Sequence, residues 1–187
     1  MTFYELKVKL IDFFADIRLY NFGIILWGDS SYQIKGPHMR SLIEVLQPGD
    51  VMLRKHNAYL GSMVIPGYWT HAAIYVGENK VIHVRSRGVG TVEEDILTFF
   101  RCDNILVLRP KNPDIIPTAI ANARKFLALG VQYDYNFNTE QDDTFYCTEL
   151  VDNCYGYPVR NRKGEKEIII PDDYLDEPSF EIVWQKG

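Results

Sequence analysis

Residues 71–86 read HAAIYVGENKVIHVRS. Two runs rich in β-branched and aromatic residues flank Gly77-Glu78-Asn79-Lys80, a cluster that favours a tight turn. The stretch predicts an antiparallel hairpin. It carries two of the four histidines, His71 and His83, twelve positions apart. Whether they share a face depends on the turn. A three-residue loop at Gly77-Glu78-Asn79, with Asn79 left-handed, sets His83 opposite Ala73 and diagonal to His71 on one face. A two-residue turn at Glu78-Asn79 sets them on opposite faces. In the first register the two can form a relay. In the second each is an ordinary polar residue on a half-buried strand.

Strand signals continue on both sides. QPGDVMLR (47–54) gives a Pro-Gly turn and a strand from about Asp50 to Arg54. NILVLRP (104–110) predicts another strand, and FEIVW (180–184) the last. Pro117–Leu129 reads as an amphipathic helix burying Ala119, Ile120, Ala123, Phe126 and Leu127, with Gly130 to end it. A second helix is expected from near Thr144 to Gly156, with Pro158 beyond. Apolar residues within 2–20, Phe3 to Leu19, fit a helical stripe packed on the domain, and their mixed charges disfavour a membrane-surface helix. Residues 28–40 and 131–143 read as loops. The irregular stretch 55–69 is a long connection of the kind that functional sites use. With no repeat, low-complexity tract or linker, the expectation is one α+β domain over 1–187. It would hold an antiparallel sheet or small barrel flanked by helices, with 1–40 as an N-terminal helical extension.

Composition is that of an ordinary globular protein: 187 residues, 47% hydrophobic and 24% charged. A net charge of −5 argues against a nucleic-acid binder, which needs a basic patch for phosphates. The acidic cluster Glu93–Asp95 reads as a solvated turn or helix start. The N-terminus has early acidic residues and lacks the features of a signal peptide, and YNFGIILWG (20–28) is too short to span a bilayer. A cytoplasmic location is the expectation.

The three cysteines, Cys102, Cys147 and Cys154, are too few for a disulfide scaffold. Within one helix, the seven-residue step from Cys147 to Cys154 separates their Cα atoms by roughly 10 Å, beyond disulfide reach. With Thr144 as N-cap, Cys147 falls at the third helical position. There the helix dipole lowers a thiol pKa, and the free backbone N–H can serve an oxyanion. Cys154, two turns deeper, and Cys102, before a strand, read as core residues. A cysteine nucleophile needs a base. His38 and His56 lie in expected loops. His71 on the hairpin can take the Cys147 proton, and His83 can fix the tautomer of His71. Alternatively Cys147, His71 and His83 bind zinc, although the spacing lacks the close pairs of a structural zinc site.

WTHAAIYVGENKVIH (69–83), VQYDYNF (131–137) and FYCTELV (145–151), opened by QPGDVMLR, resemble the permuted papain-like branch of the NlpC-type cysteine peptidase superfamily. The resemblance covers about Leu46 to Tyr157 and is nearest to the YiiX-like proteins. Lecithin:retinol acyltransferase and its relatives form a more distant branch. As in the permuted branch, the histidine precedes the cysteine. The resemblance implies Cys147 as nucleophile, His71 as base and His83 in the variable polar third position, where many YiiX-like members carry a carboxylate. It also implies Tyr133 beside the oxyanion hole.

The expected function is thiol-dependent cleavage of an amide or ester, such as a peptide, amino-acid amide or cell-wall-type peptide, without a cofactor. One rival is a lipid acyltransferase or phospholipase, with Phe13, Phe14 and FGIILW (22–27) resting on a bilayer. The other is a binding module that has kept the fold without turnover.

Overall fold

The computed structural model describes residues 2–14, 17–19, 25–27, 32–57, 65–86, 88–137, 143–164 and 168–186. Much of the 55–69 connection and of FNTEQDD (137–143) lies outside the described residues, as do the side chains of Phe13, Phe14 and FGIILW. The elements run α1 (Phe3–Phe14), β1 (Ile17–Leu19), β2 (Ile25–Trp27), α2 (Gly36–Val45), β3 (Val51–Lys55), β4 (His71–Gly77), β5 (Lys80–Arg85), β6 (Gly90–Asp95), α3 (Ile96–Phe99) and β7 (Asn104–Pro110). They continue through a 3₁₀ turn (Pro113–Ile115), α4 (Ile116–Leu129), β8 (Gln132–Tyr133), β9 (Thr144–Phe145), α5 (Cys147–Cys154), α6 (Pro158–Lys163), a second 3₁₀ turn (Pro171–Asp176) and β10 (Phe180–Lys186).

Six strands form one antiparallel sheet in the order β10-β7-β3-β4-β5-β6. The protein is therefore α+β. Strand alternation gives the sheet two faces. Met52, Ala73, Tyr75 and Val81 share a core with Leu42 of α2 and Ile96 and Phe99 of α3. Ile74, Ile82 and Val84 share another with Ala119 and Ala123 of α4 and Leu150 and Cys154 of α5. Ile74, Ile82 and Leu150 are fully buried, and each such side chain contributes roughly 1.5–3 kcal/mol of transfer free energy. Among the described residues no helix is long and apolar enough to cross a membrane.

The Pro-Gly-Asp turn is fixed by packing on three sides. Gly49 has φ +93°, and a Cβ there would come within 2.7 Å of the Ile116 side chain, so only glycine fits. Gly49 N donates to Tyr75 O, and Tyr75 N donates to Asp50 O, each at 2.8 Å. The Arg109 guanidinium grips Asp50 with Nε at 2.9 Å and Nη2 at 2.8 Å. β3 therefore enters the sheet beside β4 in a single register.

Several local expectations change. The helix within 2–20 stops at Phe14; Ile17 and Leu19, two apart, belong to a hairpin in which Ile17 faces Trp27 and Leu19 faces Ile25. The N-terminal segment is therefore not purely helical. Within 28–40, α2 begins at Gly36, with Pro37 in its first turn and Leu42 buried, and it includes His38.

The β4–β5 turn has two residues, Glu78 (φ 53°) and Asn79 (φ 58°), the geometry of a type I′ turn. Alone, it would put the two histidines on opposite faces. An irregularity between Tyr75 and Gly77 shifts the register by one residue, so Ile74 pairs with Ile82. The shared face follows from a bulge, not from a three-residue loop.

Candidate active site

His71 opens β4 and His83 lies on β5, and their rings meet directly. His71 Nε2 is 2.7 Å from His83 Nδ1, with ring planes 79° apart. His83 is completely buried, and its other nitrogen, Nε2, lies 3.3 Å from Glu94 Oε2 on β6, close but outside good hydrogen-bond geometry. Glu94 stands opposite Val81 and thus diagonal to His83, whose direct partner is Val92. Three strands therefore contribute a line of groups: His71, His83, Glu94. The expectation of a solvated turn at Glu93–Asp95 is corrected: Glu94 turns inward. Asp95 does start a helix, accepting from Leu97 N at 2.9 Å.

Arg54 closes the line on the other side. It pairs with His71 across β3 and β4, and its guanidinium lies 4.2 Å from the centre of the Phe99 ring. Its Nη1 donates to Phe99 O at 3.2 Å and lies 4.0 Å from Glu94 Oε2. Arg85 approaches Glu94 Oε1 at 3.4 Å. The charges follow from this packing. Burial, with Arg54 and His83 adding to it, holds the His71 imidazole well below the usual histidine range. Burial also pulls His83 down to about 4, against the opposing pull of Glu94. Burial alone would raise the Glu94 pKa, but His83, Arg54 and Arg85 outweigh it and hold the carboxyl below its ordinary value. At neutral pH the line is thus two neutral imidazoles ending in a carboxylate.

The segment leading into His71 is strapped down. Tyr68 N and Trp69 N each donate to the Asp172 carboxylate at 2.7 Å, and Trp69 is buried. Gly67, at φ +93°, lets the backbone approach: a Cβ there would lie 2.6 Å from Asp172 Oδ2.

Cys147 is the first residue of α5 rather than the third, because Thr144 and Phe145 pair in parallel with Gln132 and Tyr133 and leave Tyr146 as the cap. Ile169 clamps this start. Its N–H donates to the Tyr146 hydroxyl at 3.0 Å, and its carbonyl accepts from Thr148 Oγ1 at 2.7 Å. Glu149 lies in the first turn, and its Oε2 accepts from Tyr146 N at 3.4 Å. Cys147 still stands at the positive end, with a backbone N–H free of intrahelical bonding.

The dipole does not dominate the thiol, however. Burial pushes the Cys147 pKa up, because a desolvated thiolate is costly; backbone hydrogen bonding at Ala72, the residue after His71, and hydrogen bonding at Thr148 pull the other way. Cys147 is thus a protonated, uncharged thiol at neutral pH.

The β8–β9 pairing sets Tyr133 beside Phe145, two residues before Cys147. Tyr133 packs against Tyr135 with ring centres 5.0 Å apart. Burial first, and the neighbouring Cys147 second, push its phenol well above the usual tyrosine value, so it stays protonated and able to donate.

The remaining candidates fall elsewhere. Cys154 packs in the core beside Leu150, and Cys102 is buried with its thiol pushed up to about 12 by burial. His38 sits in the first turn of α2, where Nδ1 accepts from Lys35 N at 3.1 Å. His56 follows β3, with its ring 6.0 Å from that of Tyr32. Among the described residues no group of three or more His, Cys, Asp or Glu is arranged to hold a metal ion. A pocket of about 310 Å³ between α4 and α5 is lined by Asn122, Phe126 and Phe145 among others and by none of the histidine line.

Sequence reasoning missed Glu94 and Arg54. Their signal was parity: each sits at an even strand offset that turns it to the face of His71 and His83. It becomes readable only once the neighbours of β4 and β5 are known.

Comparison with known proteins agrees with this architecture. The family model described as "Permuted papain-like amidase enzyme, YaeF/YiiX, C92 family" matches residues 45–185. No curated protein matches the chain. Among solved structures, that of yiiX from Escherichia coli O157:H7, titled a metalloprotein, superposes with a TM-score of 0.58 at 16% identity, covering 75% of this chain and 97% of that one. At that identity the likeness concerns the fold. The matched span runs from the turn before β3 into β10 and takes in His71, His83, Glu94, Tyr133 and Cys147, and over that span the chain belongs to the permuted papain-like amidase family, C92, of the YaeF/YiiX kind.

Proposed function

We propose that this protein is a cysteine-dependent hydrolase that cleaves an amide or ester through an acyl-enzyme on Cys147. One observation carries the reading: the 2.7 Å contact between His71 Nε2 and His83 Nδ1, at the start of the strand whose next residue, Ala72, lowers the Cys147 thiol pKa through its backbone. That contact occupies Nε2 of His71 and leaves its Nδ1 as the base.

His71 Nδ1 takes the proton from Cys147 Sγ as sulfur attacks the substrate carbonyl. The oxyanion accepts from the Cys147 N–H and the Tyr133 hydroxyl. The intermediate collapses to a thioester, and the leaving amine or alcohol carries away the proton from His71. Water, deprotonated by His71, then hydrolyses the thioester and restores the thiol. Because both imidazoles are neutral at pH 7, His71 is ready to accept a proton without first losing one. A peptide, an amino-acid amide or a cell-wall-type peptide is the first substrate class to test.

The solved E. coli neighbour is titled a metalloprotein. A metal bound jointly by His71 and His83 does not fit this chain. Two nitrogens on one tetrahedral zinc stand about 3.3 Å apart, given Zn–N bonds of about 2.0–2.1 Å. Here they face each other at 2.7 Å as hydrogen-bond partners.

The test is alkylation by iodoacetamide followed by peptide mapping. Cys147 is expected to react faster than Cys102 and Cys154, and His71→Ala to slow it by about tenfold or more. Equal reactivity of the three thiols, or a rate indifferent to His71, would sink the reading.

A further inference from the structure

Glu94 lies outside the nucleophile, base and third position that the reading above employs, yet it ends the line that begins at His71. Its position is over-determined. It is set on β6 by the Val81 pairing and held by Arg85 at 3.4 Å and Arg54 at 4.0 Å, with its side chain 15% exposed. Its Oε2 is 3.3 Å from the second nitrogen of a histidine that is completely buried.

The chemistry of the line favours one proton arrangement when the carboxyl is ionised and the rings neutral. A carboxylate only accepts, so His83 carries its proton on Nε2, facing Glu94. Its Nδ1 is then a lone pair and accepts from His71 Nε2–H across the 2.7 Å contact. His71 Nδ1 is left without a proton, which is the form a general base requires. With no carboxylate at the end, the opposite arrangement is open: His83 holds its proton on Nδ1 and donates to His71 Nε2, so the His71 proton sits on Nδ1 and the base is blocked.

We infer that Glu94 is a positioning residue that fixes the tautomers of His83 and, through it, of His71, so that Nδ1 of His71 is kept open for the thiol proton. The inference rests on the hydrolase reading for its catalytic half only. A neutral histidine in the third position is a weak anchor by itself, since either of its nitrogens can carry the proton. The carboxylate on the next strand supplies the direction that His83 lacks, and Arg54 and Arg85 keep that carboxylate charged and aimed.

The test uses the full chain labelled with nitrogen-15, reading the imidazole nitrogens by NMR at pH 7 alongside the rate of Cys147 alkylation by iodoacetamide. In the wild type both rings are expected to carry the proton on Nε2. In Glu94→Leu, which removes the acceptor at similar volume, Nδ1–H forms are expected to appear on both rings, with alkylation slower by about tenfold or more. Glu94→Asp keeps the charge one methylene further back and is expected to fall between the two. It serves as the second variant if the leucine form does not fold. Unchanged tautomers in these variants overturn the inference whatever the reactivity. Changed tautomers with an unchanged alkylation rate, where His71→Ala is slow, overturn its catalytic half. A rate indifferent to His71→Ala instead overturns the hydrolase reading, and the tautomers then judge the positioning claim alone.

Discussion

Cys147→Ser is expected to abolish turnover of an activated ester, by on the order of 10⁶-fold, while leaving the fold intact. Serine has nearly the volume of cysteine, and the position is the first of α5, where a hydroxyl can bond to the free N–H groups nearby. The chemical change is larger than the structural one. An alcohol is far harder to deprotonate than a thiol, and His71, whose pKa is depressed by burial, is a weak base for it. Groups that act as a unit lose nearly everything when one is removed, so His71→Ala should fall close to the same floor. Cys154→Ser is the control: it changes a core position two turns along the helix and should alter stability more than rate. Initial rates on a chromogenic ester, with circular dichroism to confirm folding, decide the matter. A Cys147→Ser protein retaining a substantial part of its rate would mean the chemistry lies elsewhere.

Arg160→Met is expected to cost about 3 kcal/mol of stability, with the loss growing as pH rises. Arg160 Nη2 donates to Glu149 Oε1 at 2.9 Å, and both side chains are buried beneath α5 and α6. The arginine also lies 4.1 Å from the centre of the Tyr157 ring. Asp152 completes the junction, accepting from Val159 N at 3.0 Å and Arg160 N at 3.2 Å.

Burial pushes Glu149 up to about 8 even against the pull of Arg160. Its folded-state pKa is thus above the unfolded value. The proton favours the folded state at low pH, and that contribution is lost as pH rises through about 8. Without Arg160 the folded pKa climbs further, so the variant continues to lose stability at pH values where the wild type has an ion pair to fall back on. The gap between the two proteins should therefore widen from acid to alkaline pH. Adding Glu149→Gln should recover part of the loss, because the two groups share one interaction. Urea unfolding at several pH values measures this. A gap below about 1 kcal/mol that does not change with pH would show that the pair is not a coupled buried unit.

The sheet was legible wherever local pattern and packing agree. β7 falls on Asn104–Pro110 as NILVLRP predicts, and α4 ends where Gly130 adopts φ +62°. The shared face of His71 and His83 was one of two predicted alternatives, and the choice between them turned on a bulge that leaves little mark in sequence. Three other features depend on distant chain. Glu94 looks like part of a solvated acidic run until β6 is known to flank β5. The cap of α5 moves from Thr144 to Tyr146 because Gln132 and Tyr133, twelve residues earlier, pair with Thr144 and Phe145. The Cys147 thiol is raised because α5 packs its start against the sheet, and burial is a tertiary property that helix position alone does not reveal.

The central claim is an acyl-enzyme on Cys147 formed with His71 as base. It is tested most directly by exposing the protein to p-nitrophenyl acetate, quenching in acid and mapping the acetyl group by mass spectrometry. A single acetyl on Cys147 is predicted, present in the wild type during turnover and missing from His71→Ala. Turnover by the wild type with no acetyl on Cys147 at any quench time, or acetylation of Cys147 undiminished by His71→Ala, would contradict it.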